Sequence, residues 1–469
     1  MEHFNVVFIG HVDSGKSTTA GQIMYQTGMI DERVLEKLMK EAKNKGRDGW
    51  GIAYIMDTDE QEREKGKTQE VGYGSFTIHR RTESEANAHH GRSFTILDAP
   101  GHRSYINHMI EGAQQADIAI LIISAKRGEF ESGFDKNGQT KEHILLAKSL
   151  GVRHLIVAVN KMDDGTVQCA PSGERTSCWS PEGERTLCWS KERYDECKER
   201  LILYLRECGI RQGDTWFVPI SGLKGINIKE PVSADVCPWY AGQVSLLEYL
   251  DKIVLPRRYL EERMRLPVVN VIRDLGMTHI FGTLVSGRCK KGDMICICPG
   301  GKSGEICVGT IITGENTEVD KAESGDNIEI ILNGTSYDIR QGFVLYQGTG
   351  TGVGHGIKEF EAKIKLSGIE GICTSGSRFI MHLHASVQEV VIDKIIGVYG
   401  GVGGDVLNKK RVFGKKGDLI LAQVMIDNNI GVMAETFETF APFGRFVLRL
   451  GVSTIGFGII TSLMGSVPS

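Results

Sequence analysis

The sequence predicts an α/β domain followed by two all-β barrel domains, on three observations. Up to about residue 255, uninterrupted β-branched runs alternate with helical patterns. Beyond about Pro267 helical spacing nearly vanishes in favour of short alternating strands set off by Gly and Asp. A stretch with glycine at every second position, Gly348 to Gly356, then divides that second half, as a flexible joint would. The 469 residues are too many for one ordinary core. With 41% hydrophobic and 24% charged residues the chain excludes wholesale disorder.

The runs Val6–Ile9, Phe94–Leu97, Ile118–Ile123 and Leu155–Val159 are apolar without alternation. That texture suits strands buried on both faces of a largely parallel sheet. Between them, Leu35, Leu38, Met39 and Ala42 keep helical spacing, and Arg193 to Leu205 is a second amphipathic helix. In the β half, Ile280–Ser286, Asp293–Ile297 and Asn327–Leu332 alternate as half-buried strands do. The expected domains are therefore residues 1–255, 266–350 and 357–469.

One segment interrupts the first domain. Gly173-Glu174-Arg175-Thr176 through Cys178-Trp179-Ser180 recurs as Gly183-Glu184-Arg185-Thr186 through Cys188-Trp189-Ser190. A tandem duplication within an insertion at 169–188 accounts for it. Cys169, Cys178 and Cys188 match no metal-site spacing, so the insertion reads as surface loop, where additions are tolerated.

No apolar run approaches the length that crosses a bilayer, and Met1-Glu2-His3-Phe4-Asn5 lacks a basic leader region, so a cytoplasmic protein away from membranes is expected. The 11 cysteines are scattered, with no Cys-x-x-Cys, and signal neither a disulfide framework nor a zinc site. Cys296 and Cys298 read as buried strand residues. His382 and His384, two apart, would share a strand face as a metal pair might, but with no third ligand a plain barrel strand is expected. The net charge of −4 is spread evenly over the domains, which excludes a protein whose main business is coating nucleic acid.

Gly10-His11-Val12-Asp13-Ser14-Gly15-Lys16-Ser17 is G-x-x-x-x-G-K-S directly after a strand and before a helical stretch that opens with Thr18. Such a loop cradles phosphates with its backbone N–H groups while the helix N-terminus adds positive partial charge. The segment Val12 to Thr18 is thus the candidate phosphate site, with Lys16 reaching the outer phosphates and Ser17 offering an oxygen to Mg²⁺. Asp98-Ala99-Pro100-Gly101 follows another strand, which brings Asp98 to the edge where open α/β sheets bind ligands. Asp98 can hold Mg²⁺ through water, and the Gly101 amide can meet the terminal phosphate.

Asn160-Lys161-Met162-Asp163 follows a third strand and sets a carboxylate where it can accept the ring N–H and exocyclic amine of guanine. Adenine offers the wrong pattern. Ser221-Gly222-Leu223 follows a fourth and could close the base pocket with backbone N–H groups. Together these signals predict an α/β P-loop GTPase domain ahead of the two β-barrels. His102, next to Gly101, is the candidate for positioning water at the terminal phosphate. Thr68, between the phosphate-loop helix and the next β run, is a candidate second hydroxyl ligand for Mg²⁺.

At Asp98-Ala99-Pro100-Gly101-His102, Gly128-Glu129-Phe130-Glu131, Gly138-Gln139-Thr140-Lys141-Glu142-His143 and Pro442-Phe443-Gly444-Arg445-Phe446 the chain resembles the translational GTPases of the elongation factor one-alpha group. Within that group, Lys65 to Gly72, Glu192 to Lys198 and Val236-Cys237-Pro238-Trp239-Tyr240 most resemble the eukaryotic class-II polypeptide-chain release factors. The resemblance covers all but the duplicated insertion. It implies a cytoplasmic GTPase that acts with a class-I release factor on the ribosome to drive peptide release at stop codons. On matching positions it implies phosphate and Mg²⁺ roles for Lys16, Ser17 and Thr68, base recognition by Asn160 and Asp163, and the attacking water for His102. It also implies that Asp13 helps to hold a monovalent cation and that the last barrel, with Gly444-Arg445-Phe446, docks the partner factor.

Three departures from the family pattern stand out. The first strand starts almost at Met1, so the poly(A)-binding-protein partnership that a long N-terminal extension brings to family members is not expected; the insertion is unusual; and Leu450 stands where an aspartate commonly follows Gly-Arg-Phe. The same layout would also serve an aminoacyl-tRNA-delivering elongation factor or a ribosome-rescue GTPase. A non-catalytic GTP-sensing scaffold fits less well, because His102 and Thr68 are both present.

Overall fold

A computed structural model describes all residues except 1, 48, 58–70, 79–90, 102–104, 136–137, 153, 165–187, 212, 214, 255–258, 275, 301–305, 314–316, 334–337, 348–355, 401–405 and 467–469. Thr68, His102, the 348–355 part of the glycine-rich joint and nearly all of the duplicated insertion lie outside the described residues. The chain divides into two compact units, residues 1–148 with 152–255 and residues 149–151 with 256–469.

The first unit is built on a six-stranded sheet of β1 (Glu2–Ile9), β2 (Gly72–Ile78), β3 (Arg92–Asp98), β4 (Ile118–Ser124), β5 (His154–Asn160) and β6 (Thr215–Pro219), in the order β2-β3-β1-β4-β5-β6. Only the edge strand β2 runs antiparallel; the other pairings are parallel. Every residue of β4 is buried, as the unbroken apolar run predicted and as a sheet covered on both faces requires. The phosphate-loop helix α1 (Lys16–Gln26) and α2 (Glu32–Asn44) follow β1. On α2, Leu35 and Ala42 are buried, but Met39 is 44% exposed. The expected four-residue apolar stripe is therefore narrower than its spacing implied.

The helix predicted over Arg193–Leu205 spans Lys191–Glu207. The tail of the duplication starts it: Trp189 is buried, and the Ser190 hydroxyl caps the helix by accepting from the Arg193 N–H at 3.2 Å. What is described of the second repeat copy is thus anchored in the core. Cys188 is disulfide-bonded, which corrects the reading of no disulfide; the duplication crowds Cys169, Cys178 and Cys188 together in sequence. The other cysteines described are free thiols, and Cys296 and Cys298 are buried strand residues as expected.

The second unit holds two β layers, each with its own core. An eight-stranded sheet runs Ile306–Cys307, Met294–Cys298, Val344–Tyr346, Arg265–Asp274, Met277–Thr283, Asn327–Asn333, Thr310–Thr313, Thr317–Val319. It wraps Leu266, Ile280, Ile295, Ile311 and Ile330. In the C-terminal layer, Arg378–Leu383 pairs with both Arg445–Leu450 and Ser386–Gly400. The order through Ser453–Ser466, Ile357–Leu366 and Leu419–Ile426 therefore returns on itself as a closed six-stranded barrel around Phe360, Ile364, Ile392, Val424 and Phe446. Closure removes the edges of these six strands, and Val406–Asn408 is added outside them on Ser386–Gly400.

His382 lies on Arg378–Leu383, but His384 sits past its end with φ of 41°, so the two do not share a strand face as their spacing implied. The left-handed turn at His384 breaks the alternation. Burial lowers both imidazole pKa values to about 4, and His384 Nε2 lies 2.8 Å from the Met433 carbonyl oxygen. They are neutral core residues.

The two β layers meet through Cys296, Cys298, Val344 and Tyr346 against Met433, Phe440 and Phe443. Beside them the Arg265 guanidinium donates to both Glu435 carboxylate oxygens at 2.6 and 3.1 Å and stacks 4.2 Å from the Phe440 ring centroid. Removing one partner of such a pair strands a buried charge, at a cost of roughly 3 kcal/mol or more. Glu435→Leu should therefore lower the thermal midpoint of the β unit by several degrees. Arg265→Met combined with Glu435→Leu should recover most of the loss. Equal damage from the single and double variants would show that the pair is not what the clamp depends on.

Candidate functional site

Register sets where the site forms. Phe8 pairs with Asp98, Ile9 with Leu121 and Ser124 with Asn160, which aligns the C-terminal ends of β3, β1, β4 and β5 along one edge. The chain leaves β1 at Gly10, with φ of 145°; a Cβ there would stand 2.3 Å from the Ile122 carbonyl oxygen. Only glycine fits. The loop then turns through left-handed backbone at Asp13 and Gly15, with φ of 60° and 94°, before α1 begins at Lys16. This is the concave run of amides ending on a helix N-terminus that binds anions.

Asn160, the last residue of β5, joins three segments. Its Nδ2 donates to the Ser14 carbonyl at 2.9 Å, and its Oδ1 accepts the Gly222 N–H at 2.8 Å. The approach is so close that a Cβ on Gly15 would stand 2.3 Å from Asn160 Nδ2. Next, Lys161 takes φ of 61° and its ammonium bonds Glu129 at 2.7 Å. Burial alone would raise the Glu129 pKa, but hydrogen bonds from Lys161 and Ser124 outweigh it and hold the carboxyl below its usual range. Asp163 lies 3.4 Å from Lys224.

A cavity of about 380 Å³ results, a size that suits a small-molecule cofactor. Val12, Asp13, Gly15, Lys16, Ser17 and Thr18 form its phosphate-loop wall, and Gly101, Asn160, Lys161, Asp163 and Leu223 also line it. Four separate sequence signals thus meet on one space. Ser14 contributes through its main chain, and Ser221 and Gly222 sit behind the wall. Their N–H groups are committed to Ile226 O and Asn160 Oδ1. Of the segment expected to close the base pocket with amides, Leu223 alone reaches the cavity.

Lys16 is buried, and its Nζ donates to the His11 carbonyl at 2.9 Å. Burial lowers its pKa, against the opposing pull of Asp98, Asp13 and Asp57. Asp98 is fully buried at the end of β3.

Sequence reasoning missed two contributors. Gly49, Trp50, Ala53 and Asp57 line the cavity from the segment after α2; no motif marks them, and only the buried Asp57 carried a chemical hint. His143 is the other: its Nδ1 accepts the Gly10 N–H at 3.1 Å and so fixes the first residue of the phosphate loop. The signal was at hand in the run Gly138 to His143, read for resemblance but not for a role.

Residues 1–256 match the family described as the elongation factor Tu GTP binding domain, and residues 359–461 match the GTP-eEF1A C-terminal domain-like family. A eukaryotic peptide chain release factor GTP-binding subunit of Ogataea pini is 38% identical over 467 residues, covering 99% of this chain and 57% of the relative. One from Schizosaccharomyces pombe is 37% identical over 470 residues, covering 99% and 64%. The chain therefore spans about three fifths of the length of these relatives. Among solved structures, the S. cerevisiae Ski7 GTPase-like domain bound to GDP and inorganic phosphate superposes with a TM-score of 0.74 at 17% identity, covering 98% and 97% of the two chains. That likeness is one of fold.

The buried imidazole supplies a test of the loop. Burial, with Lys16 and His11 adding to it, lowers the His143 pKa to about 3, whereas an unfolded chain takes up the proton near 6.5. Between those values the unfolded state binds more protons, so His143 makes stability rise with pH and fall on acidification. His143→Asn keeps an acceptor for Gly10 without the titration. Urea unfolding between about pH 4.5 and 5.5 should show its pH slope reduced by roughly 1.4 kcal/mol per pH unit. An identical slope in the two proteins would mean His143 is not buried neutral.

Proposed function

We propose, from the premise that this chain belongs to the elongation factor Tu GTP-binding domain family, that it hydrolyses GTP in translation termination, acting with a class-I release factor on the ribosome. The observation that carries this is the convergence of the phosphate loop, Gly101 and the Asn160 to Asp163 segment on one cavity. The similarity to release factor GTP-binding subunits over 99% of the chain supplies the termination setting.

In this reading the loop amides and Lys16 hold the phosphates. Asp163 accepts the two guanine donors, and Glu129 fixes Lys161 so that its stem flanks the base. Asn160 positions both walls. A hard divalent ion suits the oxygen donors present: Ser17 lines the cavity, and Asp13, Asp57 and Asp98 surround one buried ammonium. Ser17 and Asp98, the latter through water, would hold Mg²⁺, which supplies charge neutralisation at the phosphates. Thr68 and His102 keep the roles their positions imply, as second hydroxyl ligand and as the group that orients water. Asp13 keeps its place as the residue at a monovalent cation. The chain works in the cytoplasm; among the described residues no helix is long and apolar enough to cross a membrane.

Two measurements test the reading. Asp163→Asn should lose GTP and gain xanthosine triphosphate, whose C2 carbonyl meets the new amide donor. Sites built on such hydrogen bonds discriminate by as much as about 10⁴-fold, so equal competition by ATP against the unmodified protein would sink the guanine assignment. GTP affinity should also rise when a class-I release factor is added, by the reciprocity of linked binding. Aminoacyl-tRNA should leave it unchanged. Tight GTP-dependent aminoacyl-tRNA binding without a response to the release factor would instead identify a tRNA carrier.

A further inference from the structure

The even charge of the domains conceals one concentrated patch. Of the Lys and Arg residues between 357 and 469, Lys409, Lys410, Arg411, Lys415 and Lys416 all fall within eight residues of the C-terminal barrel, on and around the short strand Gly414–Lys415. Among the described residues Arg411 is the only one of these whose side chain pairs with a carboxylate, that of Asp418 at 2.5 Å, which also accepts the Lys415 backbone N–H at 2.7 Å. Among the described residues Lys409, Lys410, Lys415 and Lys416 make no ion pair. Amid these charges stand two exposed apolar side chains, Val412 at 57% and Phe413 at 36%. The Arg411 guanidinium and the Lys415 ammonium lie 5.0 and 5.8 Å from the Phe413 ring centroid.

The neighbouring strands extend the patch. Lys365 and Tyr399 both pair with Leu419, from opposite sides of the strand Leu419–Ile426. The Lys365 ammonium donates to the Gly417 carbonyl, and Lys363 lies 5.2 Å from the Tyr399 ring centroid. Seven cationic side chains and two aromatic rings thus share one end of the barrel around residues 417–419.

We infer that this patch is a docking surface for unpaired RNA, with the lysines on successive phosphates and a base stacked on Phe413. A row of cations around an exposed aromatic ring is a combination that single-stranded nucleic acid selects, because phosphate attraction follows the backbone and every base has a face to stack. An acidic peptide would use the lysines but leave Phe413 idle. A lipid surface would need more exposed apolar area than Val412, Phe413 and the neighbouring Ile372 present. The inference goes beyond the termination reading and does not depend on it.

The test uses the full chain and a labelled oligouridylate of about twelve nucleotides, followed by fluorescence anisotropy from about 50 to 200 mM salt. Each phosphate contact contributes about 0.7 to the logarithmic salt slope on a single strand. The combined variant Lys409→Gln, Lys410→Gln, Lys416→Gln should therefore flatten the slope by about 2. Phe413→Ala should weaken binding by about fivefold or more and leave the slope alone. GTP affinity and thermal midpoint should stay unchanged in both, showing that the folded nucleotide domain is intact. The inference is overturned if both variants bind oligouridylate like the unmodified protein, or if polyglutamate or anionic vesicles bind this patch more tightly than the RNA.

Discussion

The side-chain amide of Asn160 is the fixed point of the first unit. It stands at the end of a strand buried on both faces, so its backbone is held by the sheet, and it spends both ends of its amide on main-chain groups of other loops: Ser14 O and Gly222 N. Each bond contributes on the order of 1 kcal/mol net, but leaving either buried partner unpaired costs as much again or more. The phosphate loop and the 221–223 loop are therefore located relative to the sheet and to each other by one residue. His143 does the same for the other end of the phosphate loop through Gly10. A loop pinned at both ends keeps Asp13 in its left-handed conformation, strain that surrounding structure maintains.

Charge is organised around that frame. Burying Lys16 is unfavourable for an ammonium, and the acidic residues Asp13, Asp57 and Asp98 offset it. The second ionic group lies one layer out, where Glu129 gathers Lys161 and Lys126, and Lys126 also approaches Asp164. The first set lies at the phosphate-loop wall of the cavity and the second at its Lys161 end, so the two ends of the cavity differ in their electrostatics.

Much of this was legible in the sequence because strand ends carry the chemistry. Unbroken apolar runs located β1, β3, β4 and β5, and the polar residues directly after them were Gly10, Asp98 and Asn160. What the sequence could not show was direction and partnership. Asn160 reads as a base-contact residue, and besides lining the cavity it bonds Ser14 O and Gly222 N of two loops, which its position in the sequence did not show. Ser221 and Gly222 sit in the expected segment, but their N–H groups turn inward. His143 and Asp57 act across the fold from elements far apart in sequence, and no local spacing encodes such contacts. The repeat runs past the insertion at 169–188, and just beyond that boundary the burial of Trp189 and the cap from Ser190 make the start of the next helix part of the core.

The second unit shows how polar residues that look alike in sequence divide between holding the fold and facing a partner. His382 and His384 resemble a ligand pair by spacing, but burial suppresses their charge and a carbonyl occupies His384. Arg265 is satisfied by Glu435, Ser286 and the Phe440 ring, which is the accounting that a buried cation requires. By contrast, Lys409, Lys410 and Lys416 make no ion pair among the described residues. They crowd like charges together in one short segment, where mutual repulsion opposes the fold, and they surround an aromatic ring left open to water. A polyanion with faces to stack relieves both the charge and the exposed ring at once.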